Sequence, residues 1–235
     1  MPAAIVLGGP PCVLYVGGMK VPPGVDELTI AGGLVGQPLN VVKARTVDLL
    51  VPAEAEIVIE GFVDTEWLEP EAPFGESHGL VNLQEYNCFM DVTCITRRKD
   101  AIFMNYINQL APSESSVRTR VTMEGLYLKE LKQMQIRGLK RVVFHEALTG
   151  SRHVIFLLFE RGTLDTEVWR GLNGASTLQS NCGKIVIAVS DDIDPQSMDA
   201  VLWSLAYRTN PVDDMHIVPN RGGVQGAQYA GNKTD

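Results

Sequence analysis

The chain has 235 residues, of which 45% are hydrophobic and 20% charged, with a formal net charge of -8. This length holds one large domain or two of ordinary size, and the composition is that of a soluble globular protein. The acidic balance excludes nucleic acid as the main partner, and no run of about 18 apolar residues is present to span a membrane.

The chain opens on Ala3 to Leu7, a short buried strand closed by Gly8-Gly9-Pro10-Pro11. The start lacks a basic region, and that turn cuts its apolar run short, so no signal peptide is expected. Cys12 to Val16 is a second apolar run, closed by Gly17-Gly18. Pro22 and Pro23 make Met19 to Gly24 irregular, and a small amphipathic segment, Leu28 to Ala31, follows Asp26-Glu27. Leu39 to Val47 and Glu56 to Val63 are rich in Val and Ile and read as strands, joined by a turn region around Val51-Pro52. Glu85 to Arg97 alternates well enough for a long strand. Arg97-Arg98-Lys99-Asp100 then reads as a hairpin turn, with Ala101 to Ile107 as the returning strand. This half is expected to be mostly antiparallel β, a barrel or sandwich.

Ala111 to Ser116 is polar and ends the first part. Thr119 to Arg137 carries Leu126, Leu128, Leu131, Met134 and Ile136 at helical spacing, with Gly138 behind it. Strands Arg141–Ala147 and His153–Phe159, helix Asp165–Gln179 and strand Lys184–Ser190 follow. The Asp191-Asp192-Ile193-Asp194-Pro195 turn caps a helix over Gln196–Arg208, and Met215–Val218 is a last strand. Alternating strands and helices predict a mainly parallel sheet. The fold class is therefore α+β, with a β domain over residues 1–112 and an α/β domain over 113–235.

Two features concern chemistry. Thr46 to Thr96 contains eleven acidic residues and no Lys or Arg, so any buried acid there needs a cationic neighbour. Within it, Glu66 to Gly79 (EWLEPEAPFGESHG) places Glu71 and Glu76 five residues apart. On a straight strand they would face opposite sides, and Pro73 and Gly75 disfavour a straight element. A bent loop brings both to one cavity, where one holds a raised pKa and acts as an acid. A solvated acidic loop is the alternative. His78 is a candidate proton shuttle, whereas His145, His153 and His216 read as packed or edge histidines. Asp191, Asp192 and Asp194 serve a helix cap or a cation. Cys12, Cys88, Cys94 and Cys182 form no CxxC pair. Cys88 and Cys94, an even number apart, would share one face of a strand. All four read as reduced thiols of a cytoplasmic protein, without a zinc site.

PAAIVLGGPP, GMKVPPGVDELTIAGGLVGQPLNVVKARTVDLLVPAEAEIVIEG, EPEAPFGESHG and KIVIAVSDDIDPQSMDAVLWSLAYRTNP, in that order, resemble the UbiD-type decarboxylases, which use prenylated flavin mononucleotide. The resemblance implies a split β-barrel of flavin-binding type in the first part. It also implies reversible, non-oxidative decarboxylation of an aromatic or α,β-unsaturated carboxylic acid. By the same resemblance Glu76 donates a proton to the carbon that loses carbon dioxide, and Glu71 holds the catalytic arginine. Glu27 would bind Mn2+ or Mg2+ on the cofactor phosphate, with K+ as a further ion, and Gly17, Gly18 and Met19 would line the flavin. Implied partners are the small carboxylic acid substrate, a flavin prenyltransferase as cofactor supplier, and other copies in a homo-oligomer. Ala72 stands where the family has Gly, and Ser77 to Val81 departs from its usual FTGYY, which points to a different substrate pocket. Family members are longer, and the segment bearing the arginine and the remaining metal ligands lies before the point matching Met1. A complementary N-terminal subunit is therefore a candidate partner. The alternative is a non-catalytic module that serves assembly or holds cofactor.

Overall fold

The computed structural model describes residues 1–19, 24–77, 79, 81–82, 85–108, 110–146, 152–179 and 182–218, without the side chains of 82 and 85. They fall into two units, Met1–Phe74 with Asn82–Ile107, and Gly75–Val81 with Asn108–Asp235.

The first unit runs β1 (Pro2–Leu7), α1 (Pro11–Val16), α2 (Glu27–Val35), β2 (Val41–Lys43), β3 (Leu50–Pro52), β4 (Ile57–Glu71) and, after the short strands β5 (Phe74–Gly75) and β6 (Val81–Asn82), β7 (Glu85–Arg97). β1, β4 and β7 form an antiparallel sheet in that order, and β2 pairs with β3. Val51, Ala55 and Val58 form a small core with Ala4 and Val6 on one face of the sheet. Residues Cys12 to Val16 become a helix because Pro11 sits in its first turn, where a missing N–H is harmless. Val13 and Val16 then pack on Ala31 of α2.

β4 is longer than the sequence predicts. It continues through Pro70 to Glu71, so half of the expected bent loop is strand. Pro70 is accommodated because β1 pairs only as far as Phe62, leaving one side of β4 open among the described residues. Two irregularities interrupt the β4–β7 ladder, between Glu60 and Gly61 and between Val63 and Leu68. At the second, Asp64 Oδ1 accepts the N–H groups of Glu66 and Trp67, each at 2.9 Å. At the first, β7 carries one extra residue, since Glu60 faces Cys94 and Gly61 faces Val92. This bulge reverses the alternation, so Cys88 and Cys94 lie on opposite faces rather than one. A Cβ on Gly61 would collide with the backbone oxygen of Asp91.

Glu60 is 1% exposed, yet its partners are not cationic. Its carboxylate accepts the N–H groups of Arg45 (2.9 Å) and Thr46 (2.6 Å) and the Thr46 hydroxyl (2.9 Å). The Arg45 N–H is the largest influence holding its pKa below the ordinary value. The expected need for a cation is met instead by backbone dipoles. Glu56 does take one, Arg98 at 2.9 Å, along with the N–H of Ile102 at 3.0 Å. That second bond turns the chain off the hairpin path, and the predicted strand Ala101 to Ile107 does not form. The predicted strand Leu39 to Val47 contracts to β2, and Val51-Pro52 lies in β3 rather than in a turn. No closed barrel occurs among the described residues.

The second unit contains α3 (Glu114–Gln133), β8 (Leu139–Phe144), β9 (Val154–Phe159), α4 (Asp165–Thr177), β10 (Ile185–Ser190), α5 (Met198–Arg208) and α6 (Pro211–Asp214). Ser113 and Ser116 make a reciprocal capping box, so residues expected to end the first part instead start α3. The sheet order is β10-β9-β8. β10 runs parallel to β9 and β8 antiparallel, which corrects the mainly parallel expectation to a mixed sheet. Tyr127, Leu131, Phe144, Ile155 and Leu157 form its main core. α4 seats closely because Gly171 and Gly174 carry no side chain toward Phe159 and Leu131. Ser197, not the aspartate run, caps α5. Asp192 instead takes Arg208 in a two-pronged pair (3.0 and 2.8 Å) and Arg161 at 2.6 Å, and Asp191 takes Lys140 at 2.5 Å. Residues 215–218 are not a strand.

Two predictions follow from this packing. Gly61→Ala forces the β4–β7 bulge apart and lowers unfolding free energy by about 1–3 kcal/mol, as urea titration would show. The Arg208 guanidinium, ahead of Arg161, holds the Asp192 carboxyl down to about 2 from its ordinary 3.8. Its stabilising effect is complete above the ordinary value and is lost as pH falls through about 2. Asp192→Asn therefore lowers Tm near neutral pH, and the gap to the parent chain narrows on acidification.

Candidate active site

Glu71 ends β4, where the pairing register sets it opposite Glu85 of β7. It is exposed, and its carboxylate accepts a hydrogen bond from the Asn87 side-chain amide two residues further along β7. That amide fixes the direction of one carboxylate oxygen. Asn87 was not singled out from sequence. Its even offset from Glu85 marks it as facing the same side of β7, but only the register shows that this side meets Glu71.

Glu76 lies beyond β5, in the second unit, and is half-buried. Its carbonyl accepts the N–H of Gly79 at 3.0 Å, closing a turn in which Gly79 adopts a φ of 88°. The Ser77 carbonyl accepts the N–H of Ala111 at 3.2 Å, which ties this turn to the residues preceding α3. Glu71 thus belongs to the first unit and Glu76 to the second. The candidate shuttle His78 lies outside the described residues.

Gly17 caps α1 through its N–H to the Val13 carbonyl at 3.0 Å, and Gly17 and Gly18 are both exposed. The Met19 N–H reaches the Val16 carbonyl at 2.8 Å, and its side chain joins the cluster of Val13, Val16 and Ala31 together with Leu28. Glu27 is exposed and occupies the first turn of α2. Asp26 caps that helix, accepting the Leu28 N–H at 3.0 Å and the Thr29 hydroxyl at 3.1 Å. Met19 and the start of α2 are therefore brought together by one small apolar cluster.

This corner fits part of what a flavin phosphate with a divalent ion requires. Exposed glycines let a ligand approach the backbone, Met19 supplies an apolar wall, and Glu27 offers one hard oxygen donor. One carboxylate is fewer than such an ion takes, and no cluster of three His, Cys, Asp or Glu able to hold a metal occurs among the described residues. Asp191, Asp192 and Asp194 are occupied by Lys140, the two arginines and the Gln196 N–H respectively. His145 lies edge-on to Phe156 and His216 against Trp169, both with ring centroids at 6.4 Å.

Removing the Asp26 cap tests the support of Glu27. Asp26→Ala destabilises α2 by about 1 kcal/mol, and amide exchange should rise over residues 27–30 with β4 unchanged.

Comparison with known proteins adds to this geometry. Residues 1–109 match the 3-octaprenyl-4-hydroxybenzoate carboxy-lyase Rift-related domain (UbiD), and residues 119–231 match the corresponding C-terminal domain. An uncharacterised protein of Aquifex aeolicus is 32% identical over 98% of this chain and 46% of its own length. An evolved dimeric form of the UbiD-class enzyme HmfF from Pelotomaculum thermopropionicum, in complex with prFMN, superposes with a TM-score of 0.83. It is 30% identical, over 93% of this chain and 50% of its own. Vanillic acid decarboxylase of Sedimentibacter hydroxybenzoicus in open form gives 0.76 at 26% identity, over 93% and 46% of the two chains. The chain spans about half the length of the curated relatives it matches. No helix among the described residues is long and apolar enough to cross a membrane.

Proposed function

The chain belongs to the UbiD family, and on that premise we propose that it serves a prenylated-FMN-dependent decarboxylase. Its reaction is the reversible, non-oxidative loss of carbon dioxide from an aromatic or α,β-unsaturated carboxylic acid. The observation that carries this reading is the family match along both parts of the chain, with Glu71 and Glu76 inside the matched residues. HmfF with prFMN and vanillic acid decarboxylase support the cofactor and the reaction class.

Gly17, Gly18 and Met19 would hold the flavin through open backbone and an apolar side chain, and Glu27 would offer one oxygen donor to a divalent ion such as Mn2+ or Mg2+. The bound cofactor supplies an electron sink for the pair released when the carbon–carbon bond breaks. Glu76, half-buried, delivers its proton to the carbon left behind and is reprotonated from water. In the carboxylating direction the same group removes that proton. Glu71, steered by the Asn87 amide, orients the cation that meets the substrate carboxylate. That cation and the remaining metal ligands come from sequence outside these 235 residues, so full activity belongs to the completed protein.

The test supplies prenylated FMN, Mn2+ and a panel of aryl and acrylic acids to the chain, with and without its complementary sequence, and measures carbon dioxide released. Glu76→Gln should lower kcat by about 10²-fold or more, and Asn87→Ala should cost less than Glu71→Gln. Undiminished turnover in Glu76→Gln removes it as proton donor. An intact fold without turnover in any mixture favours a non-catalytic module.

A further inference from the structure

Within the second unit, the turn after α3 and the first turns of α4 form a cavity of about 420 Å³, lined by Gln135, Ile136, Arg137, Glu167 and Arg170. Its walls are held from two sides. α3 closes in a Schellman turn: the Gln135 N–H donates to the Lys132 carbonyl at 2.9 Å and the Ile136 N–H to the Leu131 carbonyl at 3.4 Å. Leu131 and Ile136 belong to the main core, which fixes that turn from beneath. From α4, the Glu167 carboxylate accepts the Arg137 N–H at 2.8 Å and the Arg170 guanidinium at 2.8 and 3.1 Å. The same guanidinium donates to the Met134 carbonyl at 2.8 Å.

Two features exceed what ending a helix requires. The first is Gln135, whose φ of 57° makes it the one non-glycine residue in the left-handed region among the described residues. Glycine is the usual occupant of that place in the turn, because it meets no steric cost there. Here the cost is carried, and the residue that carries it lines the cavity. Backbone strain retained at a concave site points to function. The second feature is charge. The Arg137 N–H, ahead of the Arg170 guanidinium, holds the Glu167 carboxyl below its ordinary pKa, so this carboxylate is ionised and answers Arg170. Arg137 lines the cavity too, yet among the described residues its guanidinium makes no hydrogen bond or ion pair; only its N–H is engaged. One cationic fork is thus left over, on a chain of net charge -8. A guanidinium offers parallel N–H donors that match a carboxylate or phosphate group. The volume is that of a small-molecule site, larger than a bare oxyanion fills. We propose that this cavity binds a small organic anion, with its carboxylate or phosphate head on Arg137 and its body over Ile136 beside the Gln135 amide. None of these residues takes part in the decarboxylation, so binding here and turnover are tested separately.

The test is isothermal titration calorimetry of the full chain with phenyl phosphate and with phenylacetate, which separate the two head groups. Saturable binding of at least one is expected, with inorganic phosphate at least tenfold weaker because it reaches the head-group contacts alone. Arg137→Ala keeps the N–H that meets Glu167 and should weaken binding about tenfold or more, the loss of a charge-assisted hydrogen bond. Lys43→Ala removes the same charge from the first unit and should leave affinity unchanged. Gln135→Gly relieves the left-handed strain, so it should weaken binding while Tm holds or rises, a combination that damage to the fold does not produce. The proposal is overturned if neither compound binds at millimolar concentration, if inorganic phosphate binds as tightly as both, if Arg137→Ala binds like the parent chain, or if Gln135→Gly leaves affinity unchanged.

Discussion

A buried carboxylate organises the first unit. Glu60 sits in the first third of the central strand, almost wholly enclosed, and takes two backbone N–H groups and a hydroxyl from Arg45 and Thr46. Thr46 in turn shares a 2.6 Å contact with Thr93, the extra residue of the β7 bulge. Three separate stretches thereby converge on one side chain. An ionised acid inside a protein is tolerated only when its lone pairs are satisfied, so the position of the β2–β3 loop, the bulge and the direction of β4 are fixed together. β4 then carries its far end, including Glu71, out along β7.

The second unit relies on shape. Gly171 and Gly174 let α4 lie against the aromatic and aliphatic side chains of β9 and α3 at distances a methyl group would prevent. Its ion pairs sit at the rim, where Asp192 gathers two arginines and Asp191 gathers Lys140. Such groups hold the ends of strands and helices in register but contribute less than the interior contacts.

Much of this was legible in the residues. Apolar runs bounded by Gly and Pro marked β1, β9 and β10, and helical spacing marked α3, α4 and α5. What stayed hidden depends on contacts between distant positions. Pro70 reads as a strand breaker until β1 is seen to stop at Phe62. Glu60 reads as one more surface acid in an acidic stretch, because backbone N–H donors leave no trace in composition. Ala101 to Ile107 reads as a hairpin return, and only the Glu56 carboxylate, drawing in the N–H of Ile102, shows why it departs. The candidate site was legible in the same measure: Glu71, Glu76, Glu27 and Met19 stood out by motif, whereas Asn87 needed the strand register.

The uncovered run after β7 has a consequence for the life of the protein in a cell. Five bulky apolar side chains within Ile102 to Ile107, outside any ladder, are the kind of extended greasy segment that quality-control machinery engages on newly made chains. Such a run also raises the tendency of the folded protein to self-associate at high concentration, so its solubility is set more by these few side chains than by the net charge of the whole.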